Sequence, residues 1–246
     1  MKDENVMIIS HGDKGGVGKS IFAALAIEYG LYLGKSVSIV EGDTKIHDIQ
    51  DRYAGTSATV LSIDLDKSGA DAANAIASLF RHVEDCETDF LVLNAPANSH
   101  KILDTQSDII VPVAKDLGFT ICTAWMVGIE ESSAALVNTS IICQLADRKM
   151  AVINRHDSAY DMDFAWFAKP TYRDTWIANG GLVGEIPDLA SRVASRLKDH
   201  PGATLTQLAG QNSPLHLVDR QIIRSWLKKS WESAVAPLIG VTDDVR

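Results

Sequence analysis

Short runs of continuous apolar residues alternate with longer stretches of helical periodicity along the whole chain. Val6-Met7-Ile8-Ile9 predicts a first strand that runs into a glycine-rich loop. Residues 19–33 (KSIFAALAIEYGLYL) repeat apolar positions at helical spacing, and SVSIV over 36–40 predicts a second strand ending at Glu41. GADAANAIASLFRHV, residues 69–83, carries an Ala/Ile/Leu face and predicts a helix. Asp89–Leu93 (DFLVL), Asp108–Val113 (DIIVPV) and Met150–Ile153 (MAVI) read as further strands of the fully buried kind, with a helix over 129–146 between the last two. Apolar strands without polar alternation, separated by helices, predict an α/β fold with a mostly parallel central sheet flanked by helices on both faces. In such sheets ligands sit beyond the carboxyl ends of the strands, so the residues that follow each apolar run carry the interest. No internal repeat or low-complexity linker interrupts the pattern, and residues 1–246 read as one domain with a C-terminal helical region at about 200–238.

Composition narrows the class. Hydrophobic residues make up 46% and charged residues 22% of the chain, the balance of a soluble globular enzyme. No segment approaches a membrane span, and MKDENVMIIS enters a short strand without the long apolar core of a signal peptide. Cys86, Cys122 and Cys143 lack C-x-x-C spacing and read as reduced core thiols of a cytoplasmic protein. A formal net charge of −9 argues against nucleic-acid binding over the whole surface, while leaving room for a local basic patch, particularly one assembled in a dimer.

The loop HGDKGGVGKS, residues 11–20, lies between the first strand and the first helix. Gly15, Gly16 and Gly18 lack a Cβ, so several backbone N–H groups can converge on one anion, and the helix adds its positive N-terminal end. Lys19 suits phosphate oxygens and the Ser20 hydroxyl suits Mg²⁺. The plain phosphate-loop spacing would put glycine at position 13, where the chain has Asp13. The stretch Lys14-Gly15-Gly16-Val17-Gly18-Lys19-Ser20 instead resembles the deviant Walker A motif, K-G-G-x-G-K-S/T, of the ParA/MinD family of P-loop ATPases. The resemblance implies ATP or ADP with Mg²⁺ as cofactors, cradled by Gly15, Gly16, Val17, Gly18, Lys19, Ser20 and Ile21. It also implies a homodimer formed on ATP binding, in which Lys14 reaches the nucleotide phosphates of the other subunit. Such an in-trans cation stabilises charge only once two loaded subunits meet.

Later segments extend the resemblance. In VEGDTKIHD, Glu41 and Asp43 match the two acids of switch I, the first near the Mg²⁺ shell and the second orienting the attacking water. Lys14, Lys19 and Asp43 are thus the implied catalytic groups, and Ser20, Glu41, Asp43 and Asn94 the implied metal surroundings. In DFLVLNAPA the Walker B position is Asn94, where the family carries aspartate. An amide offers a neutral oxygen in place of a carboxylate, so the metal shell is expected to be weaker and hydrolysis slower. Asn94→Asp is then expected to raise the rate if that shell is the limit. SDIIVPVAKD resembles the family strand that ends in proline, with Asp108 and Pro112 in place. Asn154 and Arg155 of VINRHD, and Ile186, Pro187 and Asp188 of GLVGEIPDLASRV, match the family's adenine surroundings.

Other stretches admit two readings. The aromatic segment 157–181, with Tyr160, Phe164, Trp166, Phe167, Tyr172 and Trp176, is either a partner surface or short helices packed on the sheet. Arg192, Arg196 and Lys198, and then Arg220, Arg224 and Lys228, are either DNA-phosphate contacts or a solvated helix face. The last helix (DRQIIRSWLKKSWESAVAPLI) suits a membrane surface or the core, and the acidic ending GVTDDVR disfavours reversible membrane targeting. The resemblance favours a ParA-type ATPase acting with a partner protein in plasmid partition or conjugative mobilisation. A nucleotide-gated adaptor with little hydrolysis, or a MinD-like positioning protein, are the alternatives. An iron–sulfur reductase shares the loop but needs paired cysteines that Cys122 and Cys143 do not present.

Overall fold

The computed structural model describes residues 4–44, 48–67, 69–97 and 100–241. Lys45 to His47 of the switch I stretch, and the tail from residue 242 on, lie outside the described residues. Seven strands, β1 (Asn5–His11), β2 (Val37–Glu41), β3 (Thr59–Ser62), β4 (Phe90–Asn94), β5 (Phe119–Val127), β6 (Arg148–Asn154) and β7 (Leu182–Ile186), form one sheet in the order β3-β2-β4-β1-β5-β6-β7. All six pairings are parallel. Parallel pairing needs crossover connections, and the helices among the described residues cover the two faces: α1 (Lys19–Tyr32), α2 (Asp48–Tyr53), α3 (Ala70–Asp85), α4 (His100–Thr105), α5 (Ser107–Asp116), α6 (Glu131–Leu136), α7 (Ile141–Leu145), α8 (Ala165–Ala168), α9 (Thr171–Ala178), α10 (Ser191–Asp199), α11 (Leu205–Ala209), α12 (Leu217–Ser230) and α13 (Ala236–Leu238).

Alternate residues of each strand serve opposite cores. Val6 and Ile8 join α1, α2 and the C-terminal helices α10 to α13, whereas Met7 and Ile9 join α3 to α9. The helix α1 is apolar nearly all round, because it is sandwiched between the sheet and the C-terminal helices.

Two expectations are corrected. Asp108–Val113 is helical, within α5, and not a strand. Ser107, Ile110 and Ala114 turn inward at helical spacing while Ile109 and Pro112 are exposed, so packing overrides the β-branched propensity of the run. The strand that fills this place in the sheet is β5, FTICTAWMV, between β1 and β6. The single helix over 129–146 is two short helices, α6 and α7, because the Asp104 carboxylate accepts from the Ser140 hydroxyl and the Ile142 N–H and starts the second helix afresh.

The ambiguous stretches turn inward for the most part. Phe164, Trp166 and Trp176 are buried, with the Trp176 indole donating to the Leu182 carbonyl at 2.7 Å, whereas Tyr160 stays exposed. Along the last long helix Ile223, Trp226, Leu227 and Trp231 are buried. Arg224 and Arg220 donate to the carbonyls of Ala209, Gly210 and Gln211 at the end of α11, and Arg192 pairs with the buried Asp219 at 2.6 Å. These three arginines hold the C-terminal helices together. No described helix is long and apolar enough to cross a membrane.

The buried carboxylate of Glu28 ties α1 to this layer. It accepts from the Leu205 and Thr206 N–H groups and the Thr206 hydroxyl at the start of α11, and from the Tyr53 hydroxyl of α2. Removing it leaves those buried donors unmet, so Glu28→Ala is expected to lower the unfolding free energy by about 2–4 kcal/mol in a denaturant titration. Burial raises the Glu28 carboxyl above its ordinary value of 4.5, against the opposing pull of its donors. The folded state then keeps a proton that the unfolded chain releases. The gap between wild type and variant is therefore expected to be full below pH 4.5 and to narrow as pH climbs through the raised value. A gap that widens with pH would contradict this.

Candidate functional site

The carboxyl ends of β1, β2, β4, β5 and β6 converge on the glycine loop. Ser10, at the end of β1, donates from its hydroxyl to the Lys19 carbonyl at 2.7 Å and so fixes where α1 begins. Gly18 closes the loop with φ of 105°. A Cβ there would also stand 2.7 Å from the Asn154 amide nitrogen, so glycine is required both by conformation and by space. Asn154, buried at the end of β6, donates to the Val17 carbonyl at 3.4 Å and accepts from the His156 N–H. Gly15 and Gly16 are exposed at the tip, Val17 leans on the core, and Ile21 is largely exposed on α1.

Lys19 is buried, and its ammonium donates back to the Lys14 carbonyl across the loop. Burial lowers its pKa from 10.5 to about 8, with the Asp13 and Asp43 carboxylates pulling the other way. A buried cation beside a helix N-terminus suits an anion.

Ser20 stands beside two residues from neighbouring strands. Glu41 and Asn94 are register partners at the ends of β2 and β4, and Asn94 is in turn the partner of Ser10. The Asn94 amide donates to both Glu41 carboxylate oxygens, at 3.0 and 3.1 Å, and to the Ser20 hydroxyl at 3.2 Å. Glu41 is 1% exposed, and burial pushes its pKa up to about 7 despite the Asn94 and Asp43 N–H donors. Gly42 lets the chain after β2 lie against β4: its N–H donates to the Asn94 carbonyl at 2.9 Å, and a Cβ would stand 2.9 Å from that oxygen.

Lys14 points along the chain surface and pairs with Glu130, both side chains being substantially exposed. Glu130 follows β5 on a turn that Ser133 holds, its hydroxyl bonding the Gly128 and Glu130 carbonyls and accepting from the Gly128 N–H. A cavity of about 260 Å³ opens between this turn and the loop, lined by Lys14, Gly15, Val17, Ile129, Glu130 and Asp157 among others. The strand β5 went unrecognised in the sequence, so Glu130 had no visible place at the sheet's carboxyl edge.

The remaining sequence-derived residues lie around the turns after β6 and β7. Arg155 is engaged by Glu185 and Asp161, each at 2.8 Å, and packs its guanidinium over Phe164 and Phe167. Its backbone N–H donates to the carbonyl of buried Ile186, while the Pro187 carbonyl accepts from the Trp226 indole at 2.7 Å. Asp188 shares a hydrogen bond of 3.1 Å with His156. Within this group, Asn154 reaches the glycine loop directly, through its hydrogen bond to Val17. Cys122 and Cys143 are both buried, with thiols pushed up by burial to about 12 and about 11.

No family model matches the chain. Its structure resembles a ParA family ATPase from Chlorobium tepidum TLS over 92% of this chain and 98% of that one, with a TM-score of 0.54 and 13% identity. The fold is thus shared with that ParA family ATPase. A nucleotide-binding protein from Archaeoglobus fulgidus, solved in complex with ADP, is similar in structure over 81% of this chain and 87% of its own, with a TM-score of 0.52 and 18% identity. In sequence, the chain is 25% identical over 183 residues to Protein MobD of Acidithiobacillus ferrooxidans, covering 74% of this chain and 78% of that protein.

The tightest steric demand of the loop yields a direct test. Gly18→Ala meets both the positive φ and the Asn154 amide, and is expected to lower the unfolding free energy by about 1–3 kcal/mol in urea. An unchanged midpoint and slope would show that the loop relaxes freely.

Proposed function

We propose that this chain is an ATP-binding, slowly hydrolysing dimerisation switch of the ParA type. The observation that carries the reading is the convergence of a buried Lys19, a helix N-terminus and the Ser20–Asn94–Glu41 cluster at one edge of the sheet. The first two suit the β/γ-phosphates. The last suits a hydrated Mg²⁺, which takes few carboxylates and relies on phosphate and water for the rest. The buried Oδ1 of the Asn94 side-chain amide, which has no hydrogen-bond partner among the described residues, supports the fit, since a metal-bound water would satisfy it. When bound, Mg²⁺ would neutralise charge developing on the phosphates. Lys19 would hold the phosphate oxygens, and Asp43 would orient the attacking water. Gly15 to Ile21 would wrap the phosphates, and Asn154, Arg155 and residues 186–188 would border the base. The chain acts as one nucleotide-binding domain on this reading, with its C-terminal helices bracing α1.

Lys14 is the dimer element. Its exposed ammonium, paired with an accessible Glu130, can be taken over by a second subunit's nucleotide at little desolvation cost. Similarity to MobD, together with the ParA-type fold, supports a partner protein and a setting in DNA mobilisation or partition. We assign the protein to the cytoplasm, where its buried thiols stay reduced. Non-specific DNA contact has weaker support, because Arg192, Arg220 and Arg224 are engaged within the chain. A nucleotide-gated adaptor is the second reading, and the neutral Asn94 favours it; turnover measured with and without DNA separates the two.

Sedimentation of the wild type with ATP and with ADP tests the switch. ATP alone is expected to drive dimerisation. Lys14→Ala is expected to keep ATP binding and lose the dimer, whereas Lys19→Ala is expected to lose at least about 2 kcal/mol of ATP-binding free energy. A dimer equally populated in all of these would remove the switch.

A further inference from the structure

We propose that Glu41 supplies the negative charge of the metal site, and that Asn94 is its neutral positioning partner. With Asn94 neutral at the end of β4, the charge at the end of β2 is left to act alone, held in place by the amide beside it. This deepens the nucleotide reading above and rests on it for the ligand that completes the metal shell.

The geometry decides the roles. In the ionised form that a metal site needs, Glu41 accepts hydrogen bonds and donates none, so it is met by the NH₂ side of the Asn94 amide. One NH₂ then serves both Glu41 oxygens and the Ser20 hydroxyl, at 3.0, 3.1 and 3.2 Å. The side-chain Oδ1 of Asn94 is left buried and without a partner among the described residues, in a residue only 3% exposed. Such an atom is costly to leave unmet, and a water of the metal shell is the ligand that would satisfy it. No cluster of three or more His, Cys, Asp or Glu side chains able to hold a metal occurs among the described residues. A site of one carboxylate, one hydroxyl and one amide oxygen, completed by phosphate and water, is the kind Mg²⁺ accepts.

The arrangement reverses what the sequence suggests about position 94. Aspartate there would set a second buried carboxylate about 3 Å from Glu41, with the bridging NH₂ gone. The apparently restorative change is therefore harmful alone, and becomes tolerable only when Glu41 gives up its charge.

The test compares wild type, Glu41→Gln, Asn94→Asp and the double variant, by ATP affinity in Mg²⁺ and in EDTA and by melting in EDTA without nucleotide. Wild type is expected to bind ATP more tightly with Mg²⁺. Glu41→Gln is expected to cut that Mg²⁺-dependent gain about tenfold, and the double variant to recover most of it. In EDTA, Asn94→Asp is expected to melt ~4–8 °C lower than wild type, with the double variant close to wild type. A full Mg²⁺-dependent gain in Glu41→Gln, or a double variant no better than Glu41→Gln, overturns the metal assignment alone. Asn94→Asp as stable as wild type in EDTA overturns the pairing. A wild type that binds no ATP under either condition overturns the nucleotide reading, and the metal assignment with it.

Discussion

The in-register pairing of β2, β4 and β1 is the constraint on which the rest of the site depends. Parallel pairing stacks Glu41, Asn94 and Ser10 as neighbours across three strands. One row thereby carries a carboxylate, an amide and a hydroxyl, with the Asn94 NH₂ serving Glu41 and the Ser10 hydroxyl serving the start of α1. A slip of one residue in β2 would turn Glu41 to the opposite core and leave Asn94 facing a hydrophobic side chain. The hydrogen bond from Gly42 to the Asn94 carbonyl holds this row on its open side. Chemistry at the edge is thus inherited from sheet register.

The helix α1 converts that register into a fixed loop. Its first turn is held by Ser10 and its middle by the Trp231 indole, which donates to the Leu25 carbonyl at 2.9 Å. Glu28 anchors its far half to α11 and α2. Gly30 allows the helix to lie close on Phe90 of β4. The C-terminal helices, which a reading of charge alone would turn toward DNA, therefore act as the clamp that keeps the loop's helix seated on the sheet.

Much of this is legible in the chain itself. The loop, the first two strands and the residues after β2 and β4 announce themselves because glycine, lysine and acidic residues follow short apolar runs. Asp108–Val113 misleads because a β-branched run has no local mark that separates a buried strand from a packed helix; only the inward spacing of Ser107, Ile110 and Ala114 does so. FTICTAWMV hides as a strand behind its two threonines and the run before it, and with it goes Glu130. The roles of Arg220, Arg224 and Glu28 depend on partners from 9 to 178 residues away, which no local pattern carries.

The ion pair between Lys14 and Glu130 gives the loop a threshold. Glu130 is carried on a turn that Ser133 already immobilises, so its backbone entropy is lost on folding and not on pairing. Any other anion that is to capture Lys14 must attract it more strongly than an acceptor already in place. Because both side chains are exposed, that hurdle is screened by salt. The readiness of this surface to engage a charged neighbour is thus set by ionic strength as well as by the neighbour itself.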